Sequence, residues 1–233
     1  MADLHLFTAA TMNGYKPVIF MEEAKLDYEL TPLDLGEGDQ FAPDYLKMNP
    51  NGKIPTLFDR NEGRSIFESG AILWHLAEKT RQFLPQDPVG RSQALQWLFF
   101  QVGHVGPMMG QAMYFQRVAQ PNGQEDAFAI RRYVEESRRI LEVLDTQLKG
   151  KDYLVGDYSI ADMATYPWAR AYPWAKVDIS GLDNLQRWFE QMEARPAVRK
   201  ALTIPKEQPA FWGGDDGEAT RENAANFARD VKG

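Results

Sequence analysis

The sequence predicts an α/β domain built on a mixed four-stranded sheet, followed by an all-helical domain. Three observations predict it. Strand and helix signals alternate from Leu4 to Lys79. Every periodic apolar segment beyond residue 90 has helical spacing. A proline-bearing stretch without periodicity, carrying Pro85 and Pro88, separates the two. The expected organisation is a first domain over 1–82, a linker at 83–89, a helical domain over 90–203 and a tail at 204–233.

Leu4 to Phe7 reads as the first strand, followed by the turn-like Thr11-Met12-Asn13-Gly14. A helix is expected to open near Lys16-Pro17, because proline is accepted in a first turn where its missing N–H costs nothing. It should close near Lys25. Tyr28 to Leu35 reads as a second strand, and Phe41 to Lys47 as one or two helical turns. Asn49-Pro50-Asn51-Gly52 is a dense turn signal. Pro55 to Asp59 and Ser65 to Phe67 then form a hairpin around Arg60 to Gly63. Ser69 is expected to cap a helix through Lys79. The strand–helix–strand crossover implies a parallel pair, and the hairpin adds antiparallel strands.

In the second half, Leu95, Leu98, Phe99, Val102 and Val105 fall on one helical face, which Gly106-Pro107 should kink. Ile130, Tyr133, Val134, Ser137, Leu141, Leu144 and Leu148 form a second stripe, and Leu182, Leu185, Trp188, Phe189 and Met192 a third. Ser159-Ile160-Ala161-Asp162 has the form of a capping box, with Asp in place of Glu. Glu207 to Gly233 is polar, shows no stripe, and reads as a tail or a mobile cover.

Composition narrows the chemistry. Across 233 residues, 44% are hydrophobic and 25% charged, enough apolar material for a real core. The formal charge of −7 argues against nucleic acid or an anionic membrane as a partner. No apolar run is long enough to span a bilayer, and no basic-then-apolar leader opens the chain, so a cytoplasmic protein is expected. There is no cysteine, so any thiol chemistry must use a thiol carried by a bound small molecule. His5, His75 and His104 show no metal-ligand spacing, and no metal is expected.

Three segments could carry chemistry. In Asn51-Gly52-Lys53-Ile54-Pro55, a cis Ile54–Pro55 bond would leave the Ile54 backbone able to pair with an extended peptide; a loop and a trans proline fit the same residues. In Glu68-Ser69-Gly70-Ala71, a helix N-terminus offers N–H groups to a carboxylate while Glu68 could hold an ammonium; a plain cap with a solvated Glu also fits. In Thr11-Met12-Asn13-Gly14, a hydroxyl and an amide could donate to a ligand sulfur, or simply form a turn and a cap. A thiol with pKa about 8.5 is only roughly 3% ionised at pH 7. Lowering it by about 2 units needs about 2.7 kcal/mol, within reach of one or two hydrogen bonds to a charged acceptor.

The order and spacing of these segments resemble a cytosolic glutathione transferase over nearly the whole chain, to about Leu202. Thr11-x-Asn13-Gly14-x-Lys16, Asp34-Leu35-Gly36, Gln40-Phe41 and the stretch from Leu95 to Gln111 are similar to the bacterial nu class and its relatives around the yeast nitrogen-regulator prion protein. The resemblance implies a thioredoxin-like first domain and a homodimer. It implies that Thr11 and Asn13 face the sulfur of glutathione, that Ile54 pairs with the cysteinyl unit ahead of a cis Pro55, and that Gln40 and Lys53 contact the glycyl end. Glu68 and Ser69 would hold the γ-glutamyl head, and Arg132, on a helix where Arg131 and Arg132 otherwise read as solvated, would reach a partner's ligand. Residues from Met109 to Phe115 would border the second-substrate pocket. Met12 stands where this class often has proline.

What the resemblance implies for activity is glutathione-dependent reduction of small disulfides, with glutathione or its disulfide as substrate. The alternatives are conjugation of glutathione to small electrophiles, or a binding and regulatory protein that keeps the fold without catalysis.

Overall fold

A computed structural model describes residues 2–213. Four strands form one sheet in the order β2-β1-β3-β4: β1 (Leu4–Thr8), β2 (Tyr28–Pro32), β3 (Thr56–Asp59) and β4 (Arg64–Phe67). β1 runs parallel to β2, with Leu4 opposite Tyr28, and antiparallel to β3, with Leu4 opposite Asp59. β3 and β4 are the expected hairpin. β2 stops at Pro32, short of the expected Leu35. Proline has no N–H for the ladder, and only Leu33 N–H continues it, to Thr8 O at 2.8 Å.

The helix α1 spans Met12–Ala24, starting four residues before Lys16. Thr11 is its N-cap, with Oγ1 accepting from Gly14 N–H at 3.1 Å. This cap sets the start, and Pro17 is carried inside the helix rather than opening it. Gly14 is required there: a Cβ would sit 1.9 Å from Ala9 O. After the short helix α2 (Pro43–Met48), α3 spans Ser69–Thr80. Its N-cap is Glu68, not Ser69 as expected: Ser69 is already the first helical residue, and its hydroxyl accepts from Lys16 rather than capping. Glu68 holds a positive φ of 69°, as do four other non-glycine residues among those described, but it alone of the five borders the cleft.

The remaining helices are α4 (Pro88–Phe100), α5 (Gly106–Tyr114), α6 (Ala127–Leu148), α7 (Ile160–Arg170), α8 (Asp183–Ala194) and α9 (Pro196–Ala201). Pro88 opens α4 behind the cap Asp87. Instead of a simple kink at Gly106-Pro107, residues Gln101–Val105 form a π-turn, with Gly106 N–H reaching back to Gln101 O. The extra residue absorbs the ladder bond that Pro107 cannot make. The expected inner face of α4 is partly corrected as well. Leu98 and Val105 are buried, but Phe99 is 63% exposed, and the face turns inward through Ala94 and Gln101.

The third stripe is wholly buried, and the second packs inward from Ser137 to Leu148. Ser159 and Asp162 form the capping box of α7, and Asp162 also accepts from Leu154 N–H and Trp188 Nε1. Its carboxyl is pushed up to about 6 by burial, against the pull of those donors. α1 packs on α7 and α9, so one continuous core joins sheet and bundle. Arg195 clasps Glu23 of α1 with two bonds, at 2.6 and 2.9 Å, and lies 3.7 Å over the Tyr158 ring. The tail is also corrected in part. Pro209–Trp212 forms a 3-10 turn in which Phe211 is buried against Trp174. Residues 214–233, which carry the rest of the expected tail, lie outside the described residues.

Candidate active site

Two adjoining cavities, of about 580 and 510 Å³, meet at Asn13, Lys53 and Trp168. They form a cleft between the sheet domain and the helices. The larger is lined by Thr11, Asn13, Gln40, Lys53 and Ile54, and the smaller by Asn13, Lys53, Glu68 and Ser69. Every residue of the first domain expected to contact a ligand thus borders this cleft, although they are spread over 58 positions of sequence; Pro55 does not line it. The sheet order explains it. The loops after β1, before β3 and after β4 all open at one end of the sheet.

At the centre, two uncharged side chains each accept from a protein N–H and keep a donor in reserve. Thr11 Oγ1 accepts from Gly14 N–H as the helix cap, so its O–H remains to donate. Asn13 Oδ1 accepts from Trp168 Nε1 at 2.8 Å. Indole nitrogen only donates, so the oxygen of the amide must face it, and the Asn13 NH₂ is the end left for a ligand. The N-terminus of α1 adds partial positive charge at the same point.

The flanks fit a peptide. The Ile54–Pro55 bond is cis, and no described residue is hydrogen-bonded to the Ile54 backbone. Tyr45 Oη and Asn49 Nδ2 both donate to Lys53 O, at 2.6 Å each, and hold that loop. Gln40 is 1% exposed, and its Oε1 has no partner among the described residues, a buried polar atom that a ligand would satisfy. Ser69 opens α3 with its hydroxyl at the cleft wall. Arg132 does not reach this cleft within the chain; it is exposed on α6.

Two family models match the chain: the glutathione S-transferase N-terminal domain over residues 2–78 and the glutathione S-transferase C-terminal domain over 104–196. The chain is 43% identical over 205 residues to the disulfide-bond oxidoreductase YfcG of Escherichia coli K12, covering 85% of this chain and 94% of that protein.

The chain belongs to the glutathione transferase family.

Its fold is the glutathione transferase fold, a thioredoxin-like sheet domain followed by a helical domain. It is similar to a glutathione transferase from Pseudomonas putida solved with one glutathione disulfide bound per subunit (TM-score 0.81, 40% identity, covering 88% of this chain and 92% of that one). A glutathione transferase from Burkholderia graminis, solved with two glutathione molecules per subunit, is equally similar in fold (TM-score 0.81, 41% identity, 88% and 89% covered).

Four features of this cleft escape a reading of the sequence. Trp168 lies 155 positions from Asn13, and only the packing of α7 on α1 joins them. Its ring packs against Gly106 and Gly110, where an added Cβ would stand 3.5–3.6 Å from it, in ordinary contact. Lys16 is fully buried, donating to Gln101 Oε1 at 2.6 Å and Ser69 Oγ at 3.2 Å. Burial lowers its ammonium to about 7, with Glu68 pulling the other way. Pro205, Lys206, Gln208 and Phe211, from the segment read as tail, wall the larger cavity. Of the stretch expected to border a second substrate, Gly110, Gln111 and Tyr114 line the smaller cavity, whereas Met109 and Met113 are buried in the core.

His75 is not isolated. It meets Asp59 Oδ2 at 2.9 Å, and with Glu62 the three offer ligand atoms within 4.8 Å of one another. Lys79 Nζ also lies 2.6 Å from Asp59 Oδ2, so a cation already neutralises this group. Among the described residues no helix is long and apolar enough to cross a membrane.

Proposed function

We propose that this protein is a glutathione-dependent reductase of small disulfides. One observation carries the reading: in a chain without cysteine, the Thr11 O–H and the Asn13 NH₂ remain free to donate in the middle of a cleft large enough for two peptides. Such a pair favours a thiolate over a thiol, and each charge-assisted bond contributes about 1.5–3 kcal/mol. The relatives solved with glutathione disulfide or two glutathiones, and the name of the E. coli relative, support the same reading.

In this account, Glu68 and Ser69 hold the γ-glutamyl head, the Ile54 backbone pairs with the cysteinyl unit, and Gln40 and Lys53 meet the glycyl end. Thr11 and Asn13 then stabilise the sulfur. The reaction balances as two thiols and one disulfide. A thiolate attacks one sulfur of the substrate disulfide and expels the other as a thiolate, which takes up a proton. A second glutathione thiolate resolves the mixed disulfide, giving glutathione disulfide and two reduced thiols. The attacking and leaving sulfurs both carry negative charge, so donors without acceptors suit both steps. The chain works as a homodimer in this reading, with Arg132 of each subunit facing the other's ligand, in the cytoplasm.

The test is turnover of a small model disulfide with glutathione, coupled through glutathione reductase to NADPH oxidation. Enzyme-dependent NADPH loss is expected. Its absence, with rapid conjugation of an aryl halide or isothiocyanate, would select the transferase reading. Absence of both, with no glutathione binding by calorimetry, would select a binding protein.

A further inference from the structure

Lys16 stands out among the buried titratable groups because the reaction above does not use it. It is 1% exposed, and among the described residues no carboxylate lies within salt-bridge distance of its ammonium. Its two partners, Ser69 Oγ and Gln101 Oε1, are neutral acceptors. A buried cation so placed is costly unless an anion completes it. The cost is built in by several residues. Gly106 leaves space for Gln101, since a Cβ there would lie 3.1 Å from Gln101 Nε2. Gln101, itself 1% exposed, is spent on holding the ammonium.

The geometry has a directional consequence. An ammonium is donor only, so Ser69 Oγ must accept from Lys16. The Ser69 hydroxyl hydrogen is thereby turned away from Lys16, on a residue that lines the smaller cavity at the start of α3. We propose that Lys16 is a positioning residue for the γ-glutamyl carboxylate: through Ser69 it presents a hydroxyl donor, backed by positive charge, to that group. This rests on the glutathione reading above and assigns a role to a buried lysine that borders the smaller cavity beside Ser69. The titratable groups around it are Glu68 at the cap of α3, Lys53 from the loop before β3 and Tyr114 on α5, all lining the same cavity. His104, from the segment that supplies Gln101, lies by Glu136 of α6 instead.

The test uses S-methylglutathione, whose blocked sulfur removes thiol ionisation from the measurement, and an analogue lacking the γ-glutamyl α-carboxylate. Binding of each to the full chain and to Lys16→Met is followed by calorimetry. Lys16→Met is expected to weaken S-methylglutathione at least about tenfold, the loss of one charge-assisted bond, and to leave the decarboxylated analogue nearly unchanged. Equal losses for the two ligands, or none for either, would overturn the proposal. A second measurement needs no variant. At about pH 8, S-methylglutathione should bind the unmodified protein with proton uptake, seen as a heat that varies with the ionisation enthalpy of the buffer. Binding without proton uptake would overturn it as well. Failure of the unmodified protein to bind S-methylglutathione at all would instead remove the glutathione reading.

Discussion

Replacing Trp168 by Phe tests how the cleft is poised. The indole N–H donates to Asn13 Oδ1 at 2.8 Å, and nothing else in the described structure fixes which way that amide faces. Phe keeps most of the ring, which packs beside Gly106 and Gly110 within 3.5–3.6 Å of where a Cβ would stand. It removes the one donor that fixes the amide. Asn13 can then turn its oxygen to the sulfur, exchanging a favourable contact for a repulsive one. The donor's share of thiolate stabilisation is about 1.5–3 kcal/mol, so the thiol of bound glutathione should rise by about 1–2 pKa units. With the bound thiol starting about two units below its free value of about 8.5, the ionised fraction and turnover at pH 7 should fall by roughly three- to twenty-fivefold, with the fold retained. The assay is the ultraviolet absorbance of bound thiolate against pH, beside the coupled disulfide assay. Asn13→Ala supplies the control: Trp168→Phe should cost little more in that background, because the two act as one unit. An unchanged thiol pKa and unchanged turnover in Trp168→Phe, with a cooperative melt, would refute the reasoning.

Thr11→Val should lose both the cap, about 1 kcal/mol of stability, and most turnover, whereas Thr11→Ser should keep both; thermal melts and the coupled assay read the two effects. Gly14→Ala should prevent folding to the native state, because its Cβ would fall 1.9 Å from Ala9 O; circular dichroism checks it. Lys16 gives a pH signature in stability. Its folded pKa lies near 7, below the unfolded value of about 10.4, so between these the unfolded chain binds more protons. The Lys16 contribution to stability therefore rises as pH climbs from about 7 to about 10, and below 7 the burial penalty is fully present. Lys16→Met should melt higher than the unmodified protein at pH 7, with the gap closing toward pH 10; a variant that melts lower throughout would contradict this.

The fold was largely legible in the sequence. Alternation marked the strands, the Arg60 to Gly63 turn marked the hairpin, and Leu182 to Met192 gave an unbroken stripe that is buried throughout. The errors have physical causes. The start of α1 was misplaced because Pro17 resembles a first-turn proline, while the cap that decides the start is the Thr11 side chain. The inner face of α4 is hard to read because the inward position that follows it, Gln101, is polar, and its buried amide is satisfied by Lys16 from a distant helix. Lys16 itself reads as a solvated lysine until α3 and the Gln101–Val105 segment close over it.

The site was legible in one half only. Thr11, Asn13, Lys53, Ile54, Glu68 and Ser69 stand in local motifs whose chemistry shows in sequence. Trp168 and Phe211 carry no such motif. Trp168 matters through a bond to Asn13, 155 positions away, and Phe211 through the cavity wall it completes; no periodicity encodes either. The exposed Phe99 and Phe128, at 63% and 66%, were likewise invisible as a surface feature, because apolar residues at helical spacing look inward by default.

The central claim is that this polypeptide lowers the pKa of a borrowed thiol with uncharged side-chain donors set at the N-terminus of α1. Spectroscopic titration of glutathione bound to the unmodified protein tests it most directly. The account predicts a thiol that is mostly ionised at pH 7, about two units below its value in free solution. A bound thiol that titrates where free glutathione does would contradict it.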